Sequence, residues 1–319
     1  MSKFVFSNVL GVFILDEKFE IVDKRLFKDL HEYEMRQIYI DELKRKHKNL
    51  EEVDKADKAA LQKVLANFKK QDFFTDFYER NLEITKQDIK NSVKEDSLLV
   101  SAVSTIEEID KIINLLAKRL REWYELYNPE ISKLVDDHEK FISTIIKKSK
   151  KEILEQLRLS SKTAMGADLE KEDINAIMNL ANHVNELYKY KESLEAYIEN
   201  MMEELCPNLL AITGASIGSK LIRHTGSLER LAILPASTIQ ILGAEKALFR
   251  HLTKKAKMPK YGIIFQHPLI LKVQKEERGK AARALADKIA IAAKVDRFKG
   301  KFIAEQLLQE LHKRFGQWK

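Results

Sequence analysis

Cysteine, proline and glycine are scarce in this chain: of 319 residues, one is Cys, five are Pro and ten are Gly. Because Cys206 has no second cysteine to pair with, an intramolecular disulfide and a zinc site of clustered cysteines are both excluded. The eight His are scattered without the spacing of metal ligands, so we predict no metal site. No catalytic motif is found, and we predict no catalytic residue. This cysteine usage favours a reducing, cytoplasmic setting.

Long apolar runs are also missing. The most apolar segment, from Phe4 to Leu15, is interrupted by Ser7, Asn8 and Gly11, so we expect a soluble protein without signal peptide or membrane span. Few glycines and prolines, together with 33% charged and 45% hydrophobic residues, are typical of long helices. We therefore predict a mostly α fold.

Charge is divided unequally along the chain. From Cys206 onward there are 22 Lys and Arg against 8 Asp and Glu, a net charge of +14. The first 205 residues hold 34 basic and 41 acidic residues, a net charge of −7. This division predicts that the last third meets a polyanion such as RNA, while the remainder meets proteins.

Three domains are predicted. Residues 1–105 form a small α+β domain, in which the Val-, Ile- and Phe-rich segments 3–16 and 19–26 are strands of a hairpin that turns at residues 16–18. Aromatic residues then cluster, and we expect them in its core: Phe73, Phe74, Phe77 and Tyr78.

Residues 106–205 carry the heptad pattern of a coiled coil, with apolar residues at alternating steps of three and four. The first seam comprises Ile106, Ile109, Ile113, Leu116, Leu120, Trp123 and Tyr127, and it resumes after Pro129 as Ile131, Leu134, His138, Phe141 and Ile145. It breaks near residues 165–168, and a second seam through 177–205 includes Lys191. The pattern predicts a long antiparallel helical hairpin.

The apolar surface of that hairpin needs a cover. Either another domain of the chain folds over it, or a second copy pairs with it. We favour a homodimer, with dimerisation residues on the second seam: Ile177, Leu180, Val184 and Leu187.

Residues 206–319 predict an all-helical domain, with 261–265 as its one extended stretch. The segment from Gly214 to Lys220 is not a nucleotide-binding loop, because only three residues separate its glycines and no Ser or Thr follows the lysine. We expect Gly214 and Gly218 instead to let two helices approach closely.

The pattern of residues 243–255 predicts a helix with a basic stripe at Lys246, Arg250 and Lys254, which are spaced by four residues. Leu248, Leu252 and Ala256 have the same spacing on roughly the opposite side, which we expect to be buried. The stripe is a candidate RNA contact; the alternative is a solvated surface without a ligand.

A second helix, from residue 279, has Lys280 and Arg283 at its start. Cations are unfavourable beside a helix N-terminus, and a bound phosphate would resolve that conflict. Its small residues are expected to serve close packing: Ala282, Ala286 and Ala293.

Six sequence blocks of the last third closely resemble the Nop domain. They are Leu-Ala-Ile-Thr-Gly-Ala-Ser-Ile-Gly-Ser-Lys-Leu-Ile (210–222), Gly-Ser-Leu-Glu-Arg-Leu-Ala (226–232), Leu-Pro-Ala-Ser-Thr-Ile-Gln (234–240), Gly-Ala-Glu-Lys-Ala-Leu-Phe-Arg-His-Leu (243–252), Tyr-Gly-Ile-Ile-Phe-Gln-His-Pro-Leu-Ile (261–270) and Ala-Arg-Ala-Leu-Ala-Asp-Lys-Ile-Ala (282–290). The domain order resembles the archaeal core protein of box C/D guide ribonucleoproteins, which is related to eukaryotic nucleolar and spliceosomal Nop proteins.

This resemblance implies a scaffold rather than an enzyme. The Nop domain would bind a kink-turn of the guide RNA together with a small ribosomal-protein-like partner, the hairpin would dimerise, and residues 1–105 would hold fibrillarin, a methyltransferase. S-adenosylmethionine would belong to fibrillarin, with no cofactor on this chain. The resemblance implies contacts to RNA and partner at Glu245, Lys246, Arg250 and His251. Together with the charge pattern, it gives the predicted RNA contacts Lys246, Arg250, Lys254, Lys280 and Arg283 and the predicted partner contacts Glu245, His251 and Gln266.

Two alternatives stay open. One is a spliceosome-like Nop scaffold that binds kink-turn RNA but recruits no methyltransferase. The other is an RNA-modifying enzyme in its own right, which the lack of a cofactor-binding loop disfavours.

Overall fold

A computed structural model describes residues 3–47, 50–54, 57–69, 71–132, 135–159 and 164–318. The chain divides into two compact units, Met1–Val93 and Lys94–Lys319. Among the helices of those residues, none combines the length and the apolar character needed to cross a membrane.

The first unit is a four-stranded sheet with helices on both faces. Its strands are β1 Lys3–Asn8, β2 Gly11–Leu15, β3 Ile21–Leu26 and β4 Leu50–Glu52. Its helices are α1 Leu30–Glu34, α2 Arg36–Lys46, α3 Lys58–Asn67 and α4 Gln71–Ser92. The strand order is β3-β2-β1-β4, with β1 and β4 parallel and the other pairs antiparallel. The small α+β fold is confirmed.

One predicted strand is in fact two. The segment 3–16 turns at Val9-Leu10, because the Asn8 side chain accepts a hydrogen bond from the Leu10 N–H at 2.9 Å. A Cβ at Gly11 would lie 2.1 Å from the Arg25 carbonyl oxygen, so only glycine fits there against β3. The predicted turn at residues 16–18 is confirmed, with Asp16 accepting from the Lys18 N–H at 2.9 Å.

The aromatic cluster of α4 is only partly in the core. Phe73 and Phe77 pack against Phe68, at ring distances of 5.9 and 6.1 Å. Phe74 and Tyr78 are exposed, which contradicts the prediction for these two. Phe73 and Phe77 are four residues apart and therefore share the helix face that packs on the sheet. Phe74 and Tyr78 are also four residues apart, but each lies one residue further along the helix, which turns both away from the sheet.

The second unit begins with a helical hairpin. Its long arms are α5 Glu95–Tyr124 and α9 Lys171–Leu205, joined through α6 Pro129–Ser132, α7 His138–Lys147 and α8 Lys150–Gln156. The first turns of α5 share a core with the last turns of α9, and the last turns of α5 share one with the first turns of α9, so the arms are antiparallel. Lys191 joins them through its Nζ, 2.7 Å from Asp110 Oδ1.

The first arm does not resume as one long helix after Pro129. Asp137 and Ser149 each cap a new helix, Asp137 by accepting from the Lys140 N–H at 2.8 Å and Ser149 through a capping box with Glu152. Three short helices therefore follow Pro129, with Ile131, Phe141 and Ile145 buried as predicted. Leu134 lies outside the described residues.

Two other seam positions differ from the prediction. Tyr124 is buried, and the neighbouring Trp123 is exposed, because an α-helix drifts relative to a strict seven-residue repeat. His138 is not a seam residue; its Nδ1 accepts a hydrogen bond from Arg121 Nε at 2.9 Å.

The C-terminal part of this unit is all-helical, as predicted. Its elements are α10 Pro207–Thr225, α11 Leu228–Ile233, α12 Ala236–Ile241, α13 Glu245–Lys254, a 3-10 helix Ile263–Gln266, α14 Pro268–Lys272, α15 Arg278–Arg297 and α16 Ala304–Phe315. Residues 261–265 are not an extended stretch, because the 3-10 helix begins at Ile263. Residue 105 lies inside α5 and residue 205 ends α9; the division of the chain into domains at these points stays a prediction.

Helix α15 lies at the centre of this part. Ala282, Ala286 and Ala293 are fully buried, which confirms their predicted use in close packing. Gly218 also allows close approach, because a Cβ there would lie 2.6 Å from Met202 Cε on α9. Gly214 does not: it has φ +71° with open space around it, so it kinks α10 by adopting the left-handed conformation.

A buried polar network ties three helices together. Asp296 on α15 accepts from the N–H of Leu209 at 2.8 Å and from the Asn208 side chain at 2.8 Å. Asn208 Oδ1 in turn accepts from the N–H groups of Ile303 and Ala304, at 2.7 and 3.0 Å. The network thus satisfies the free N-termini of α10 and α16. Burial raises the pKa of Asp296 above its ordinary value, although the hydrogen bonds from Asn208 and Leu209 oppose that change.

The variant Asp296→Ala should lower the free energy of unfolding by about 2 kcal/mol, because buried N–H donors lose their acceptor. Thermal melting of the full chain measures the effect. Asp287→Ala, an exposed carboxylate on the same helix, is the matched control and should melt as the wild type does. Equal melting of the two variants would contradict the role given to the network.

Candidate nucleic-acid interface

Two glycine contacts fix the start of α13. Gly243 has φ +86°, and a Cβ there would lie 2.5 Å from Ile263 Cγ1. A Cβ at Gly262 would lie 1.9 Å from the Leu242 carbonyl oxygen. The two backbones are joined by a hydrogen bond from the Ile263 N–H to that same oxygen, at 2.8 Å. The segment before α13 is therefore held against the 3-10 helix at van der Waals limits.

Glu245 completes the entry to α13. Its carboxylate accepts from the Gly243 N–H at 2.7 Å and lies 3.6 Å from His224 Nδ1 at the end of α10. An acid in the first turn also complements the helix dipole. At the other end of α13, the His251 ring donates to the Ala256 carbonyl oxygen, and Lys255 in the left-handed conformation ends the helix.

The predicted basic stripe is present. Lys246, Arg250 and Lys254 are all exposed on α13, and the Arg250 Nε donates to the Lys246 carbonyl oxygen at 3.3 Å. None of the three takes part in an ion pair within the described part of the chain. Their charges are available to an anion.

The opposite side of α13 is not buried, which contradicts the prediction. Leu248 is half-buried, but Leu252 is 72% exposed. Phe249, which lies between Leu252 and Lys246 around the helix, is 67% exposed. Ala256 lies outside the helix altogether, because the helix ends at Lys254. The physical reason is position: α13 lies at the periphery of the domain, and no helix among the described residues of the second unit covers its apolar face. Phe249 was missed by the sequence analysis.

A second cationic group lies at the start of α15. The helix begins at Arg278 with Glu277 as its N-cap residue, whose side chain makes no capping hydrogen bond. Lys280 and Arg283 are exposed in its first two turns. Arg278 itself is occupied, since it donates to the carbonyl oxygens of Val273 and Leu271 at 3.4 Å each.

The loop between α13 and the 3-10 helix connects the two cationic groups. Lys260 accepts through its carbonyl from Gln240, and its Cδ would lie 3.9 Å from a Cβ at Gly279 on α15. The rings of Tyr261 and Phe265 stack at 4.7 Å next to it. We call the stripe of α13, this loop and the start of α15 together the basic surface.

Gln266 lies in a different setting. It is exposed and lines a cleft of about 1020 Å³ between the hairpin arms α5 and α9 and the C-terminal helices. Five acidic side chains line the cleft against two lysines: Glu107, Asp110, Glu192, Glu195 and Glu199, against Lys191 and Lys220. This acidic lining is unfavourable for phosphate.

The four predicted dimerisation residues lie within the hairpin. Ile177 and Val184 are buried in its core, and Leu180 and Leu187 are half-buried against that core. Their contact with a second copy stays a prediction. Apolar side chains exposed on the hairpin include Ile112, Leu115, Trp123, Leu126 and Tyr190.

The first unit carries its own exposed apolar surface on α4. Phe74, Tyr78 and Leu82, spaced by four residues, are all exposed. The rings of Phe74 and Tyr78 stack at 6.4 Å. We call these three residues the α4 stripe.

No metal centre is formed by the described residues, since no three His, Cys, Asp or Glu side chains come together as ligands there.

Cys206 is buried, and burial raises the pKa of its thiol. His267 is buried as well: its Nε2 donates to the Ile212 carbonyl at 2.9 Å and its Nδ1 accepts from the Leu269 N–H at 3.2 Å. Burial lowers its pKa, so this ring is a neutral structural group.

Comparison with known proteins gives relatives of substantial identity. An uncharacterized NOP5 family protein of Methanocaldococcus jannaschii is 42% identical over 247 residues, covering 73% of this chain and 59% of that protein. Nucleolar protein 58 of Schizosaccharomyces pombe is 39% identical, covering 64% of this chain and 43% of that protein. Nucleolar protein 56 of Caenorhabditis elegans is 36% identical, covering 68% and 50%.

The chain therefore spans about half the length of the curated relatives it matches. Among solved structures, one entitled fibrillarin/Nop5p complex aligns over 99% of this chain and 100% of the matched chain, with 24% identity and a TM-score of 0.46. The family model described as Nop, snoRNA binding domain, fibrillarin, matches residues 105–317. Since that match covers more than half of the chain, including most of the hairpin and every element of the basic surface, the chain belongs to the Nop family.

Proposed function

We propose that this chain is a non-catalytic scaffold subunit of a box C/D ribonucleoprotein. It links a guide RNA and its kink-turn-binding protein to the methyltransferase fibrillarin for RNA 2′-O-methylation. The observation that carries the proposal is α13, where exposed cations stand beside an exposed apolar face on a Nop domain. The family description, which names snoRNA binding and fibrillarin, supports it.

The basic and the apolar residues of α13 suit different partners. Lys246, Arg250 and Lys254 suit phosphates, whose binding releases counterions. Phe249 and Leu252 suit a protein surface, because apolar residues exposed this way usually mark an interface. A composite surface of kink-turn RNA and a small protein satisfies both, with Lys280 and Arg283 extending the phosphate contacts and Glu245, His251 and Gln266 contacting the protein.

The first unit is the proposed site for fibrillarin. Its α4 stripe is exposed and apolar, and stacked aromatic rings are frequent at the energetic centre of protein interfaces. In this arrangement S-adenosylmethionine is held by fibrillarin, this chain has no cofactor, and base pairing of the guide selects the substrate. The particle works in the cytoplasm.

A homodimer completes the proposal. The predicted dimerisation residues are Ile177, Leu180, Val184 and Leu187. Of these, Leu180 and Leu187 are half-buried, and the exposed apolar residues Leu115, Trp123 and Leu126 of the hairpin offer a second copy further surface to cover. Two copies would place two fibrillarin molecules on one particle.

The double variant Lys246→Ala/Arg250→Ala should weaken assembly on kink-turn RNA in the presence of the kink-turn-binding protein. Losing two phosphate contacts should also flatten the dependence of log K on log salt, by about two units at most. Gel shifts across a salt series measure both effects. Lys111→Ala/Lys189→Ala, which removes two exposed hairpin lysines, is the matched control. Unchanged assembly of the α13 variant would rule out this placement of RNA.

The double variant Phe74→Ser/Tyr78→Ser should lose capture of fibrillarin while keeping RNA assembly, because the α4 stripe loses its aromatic surface. Co-purification with tagged fibrillarin measures capture, and Gln87→Ser, an exposed position on the same helix, is the control. If the wild-type chain assembles on RNA but captures no fibrillarin, the chain is instead a spliceosome-like scaffold. Methylation of RNA by the isolated chain with S-adenosylmethionine would show an enzyme and contradict the proposal.

A further inference from the structure

The loop that joins α15 to α16 exposes two phenylalanines. Its sequence is Phe-Lys-Gly-Lys-Phe, residues 298–302. Phe298 is 80% exposed and Phe302 is 54% exposed. Two large aromatic side chains that are exposed to solvent at the ends of one short loop indicate a contact surface.

The conformation of this loop is fixed from both sides. The Lys299 N–H donates to the Asp296 carbonyl at 3.0 Å, and the Gly300 N–H donates to the Val295 carbonyl at 2.8 Å. After the loop, the Ile303 N–H donates to Asn208 Oδ1 at 2.7 Å. A Cβ at Gly300 would lie 2.9 Å from Val295 Cγ1. The two phenylalanines are therefore presented by a rigid backbone, which lowers the entropy cost of binding.

The surroundings of the loop are basic. Lys294, Lys299 and Lys301 are exposed and form no ion pair within the described part of the chain. Arg297 is bound to Glu229 at 3.1 Å, and Glu229 also lies 3.6 Å from Lys94. Asp296 is buried in the polar network. Glu305, exposed at the start of α16, is the nearest free acid in sequence, so cations dominate.

The combination of lysine and phenylalanine in this loop favours a nucleic-acid partner over a protein partner. Protein interfaces are depleted in lysine relative to the rest of the surface. Surfaces that bind single-stranded nucleic acid combine cations for the phosphates with aromatic rings on which bases stack. A-form duplex RNA keeps its bases paired and stacked, so only unpaired bases reach such rings. The composition of the loop therefore favours single-stranded RNA.

We propose that residues 298–302 are a second RNA-binding site, in which Phe298 and Phe302 stack on unpaired bases while Lys299 and Lys301 contact the adjoining phosphates. The site is separate from the basic surface described above, because that surface includes the opposite end of α15. A 20-residue helix is about 30 Å long at about 1.5 Å per residue. The proposal extends the proposed function, since it adds a contact to an RNA single strand beyond the kink-turn.

Fluorescence anisotropy of the full chain with a short fluorescein-labelled oligoadenylate tests the site. Phe298→Ala/Phe302→Ala should weaken binding by about tenfold or more, because each stacked base loses its aromatic face. Phe298→Trp/Phe302→Trp should retain binding. Phe298→Leu/Phe302→Leu, which keeps apolar surface without a ring face, should lose it. Tyr190→Ala/Tyr197→Ala, which removes two exposed aromatic rings from α9, is the matched control and should bind as the wild type does.

Unchanged binding of the Ala variant, or no binding of oligoadenylate by the wild-type chain, would overturn the proposal. If the Leu variant binds as well as the wild type, the rings do not stack on bases and the proposal is wrong. Thermal melting confirms that the variants fold, which is expected because both rings are exposed. Assembly on a kink-turn RNA without single-stranded extensions should be unaffected by the Phe variants, so failure of this site and failure of the scaffold function are distinguishable.

Discussion

The buried carboxylate of Asp296 is the interaction on which the C-terminal domain depends. It accepts from the backbone and side chain of Asn208, and Asn208 passes the connection on to the start of α16. Because only Cys206 separates the end of α9 from Pro207 at the start of α10, the same network fixes the point where the hairpin leads into the domain. A buried polar group with all its partners in place rigidifies its surroundings, and here it sets the positions of α10, α15 and α16.

Around this anchor, the alanine face of α15 and the glycines at 218, 243 and 262 let neighbouring elements pack closely. The consequence appears at α13. Its entry is locked between the 3-10 helix and Glu245, yet its body contacts little of the domain and buries no residue. A rigidly oriented helix with an uncovered apolar side suits recognition by a partner better than it suits internal packing, because the interface is already preorganised.

The surfaces of the chain differ in charge and in exposed apolar area. Cations gather on α13, on the loop through Lys260, and at the start of α15, whereas the cleft beside the hairpin has an acidic lining. Phosphate is therefore attracted to the basic surface and disfavoured in the cleft. Apolar side chains exposed on α4 and on the hairpin lie outside the basic surface and suit protein partners, in keeping with the acidic balance of the first 205 residues.

The sequence by itself determined the helical class, the antiparallel hairpin, the family and the basic stripe of α13, because period, composition and motif spacing are local properties. Predictions from the sequence were wrong for features that depend on contacts with other elements. These are the turn at Val9-Leu10 before Gly11, the exposure of Phe74, Tyr78 and Trp123, the short helices that begin at Pro129, and the exposed apolar face of α13 at Leu252. The sequence also did not distinguish Gly214, which kinks a helix, from Gly218, which lets two helices meet. Only the tertiary structure decided these, since an apolar residue is buried when another element covers it, and that cover comes from residues distant in sequence.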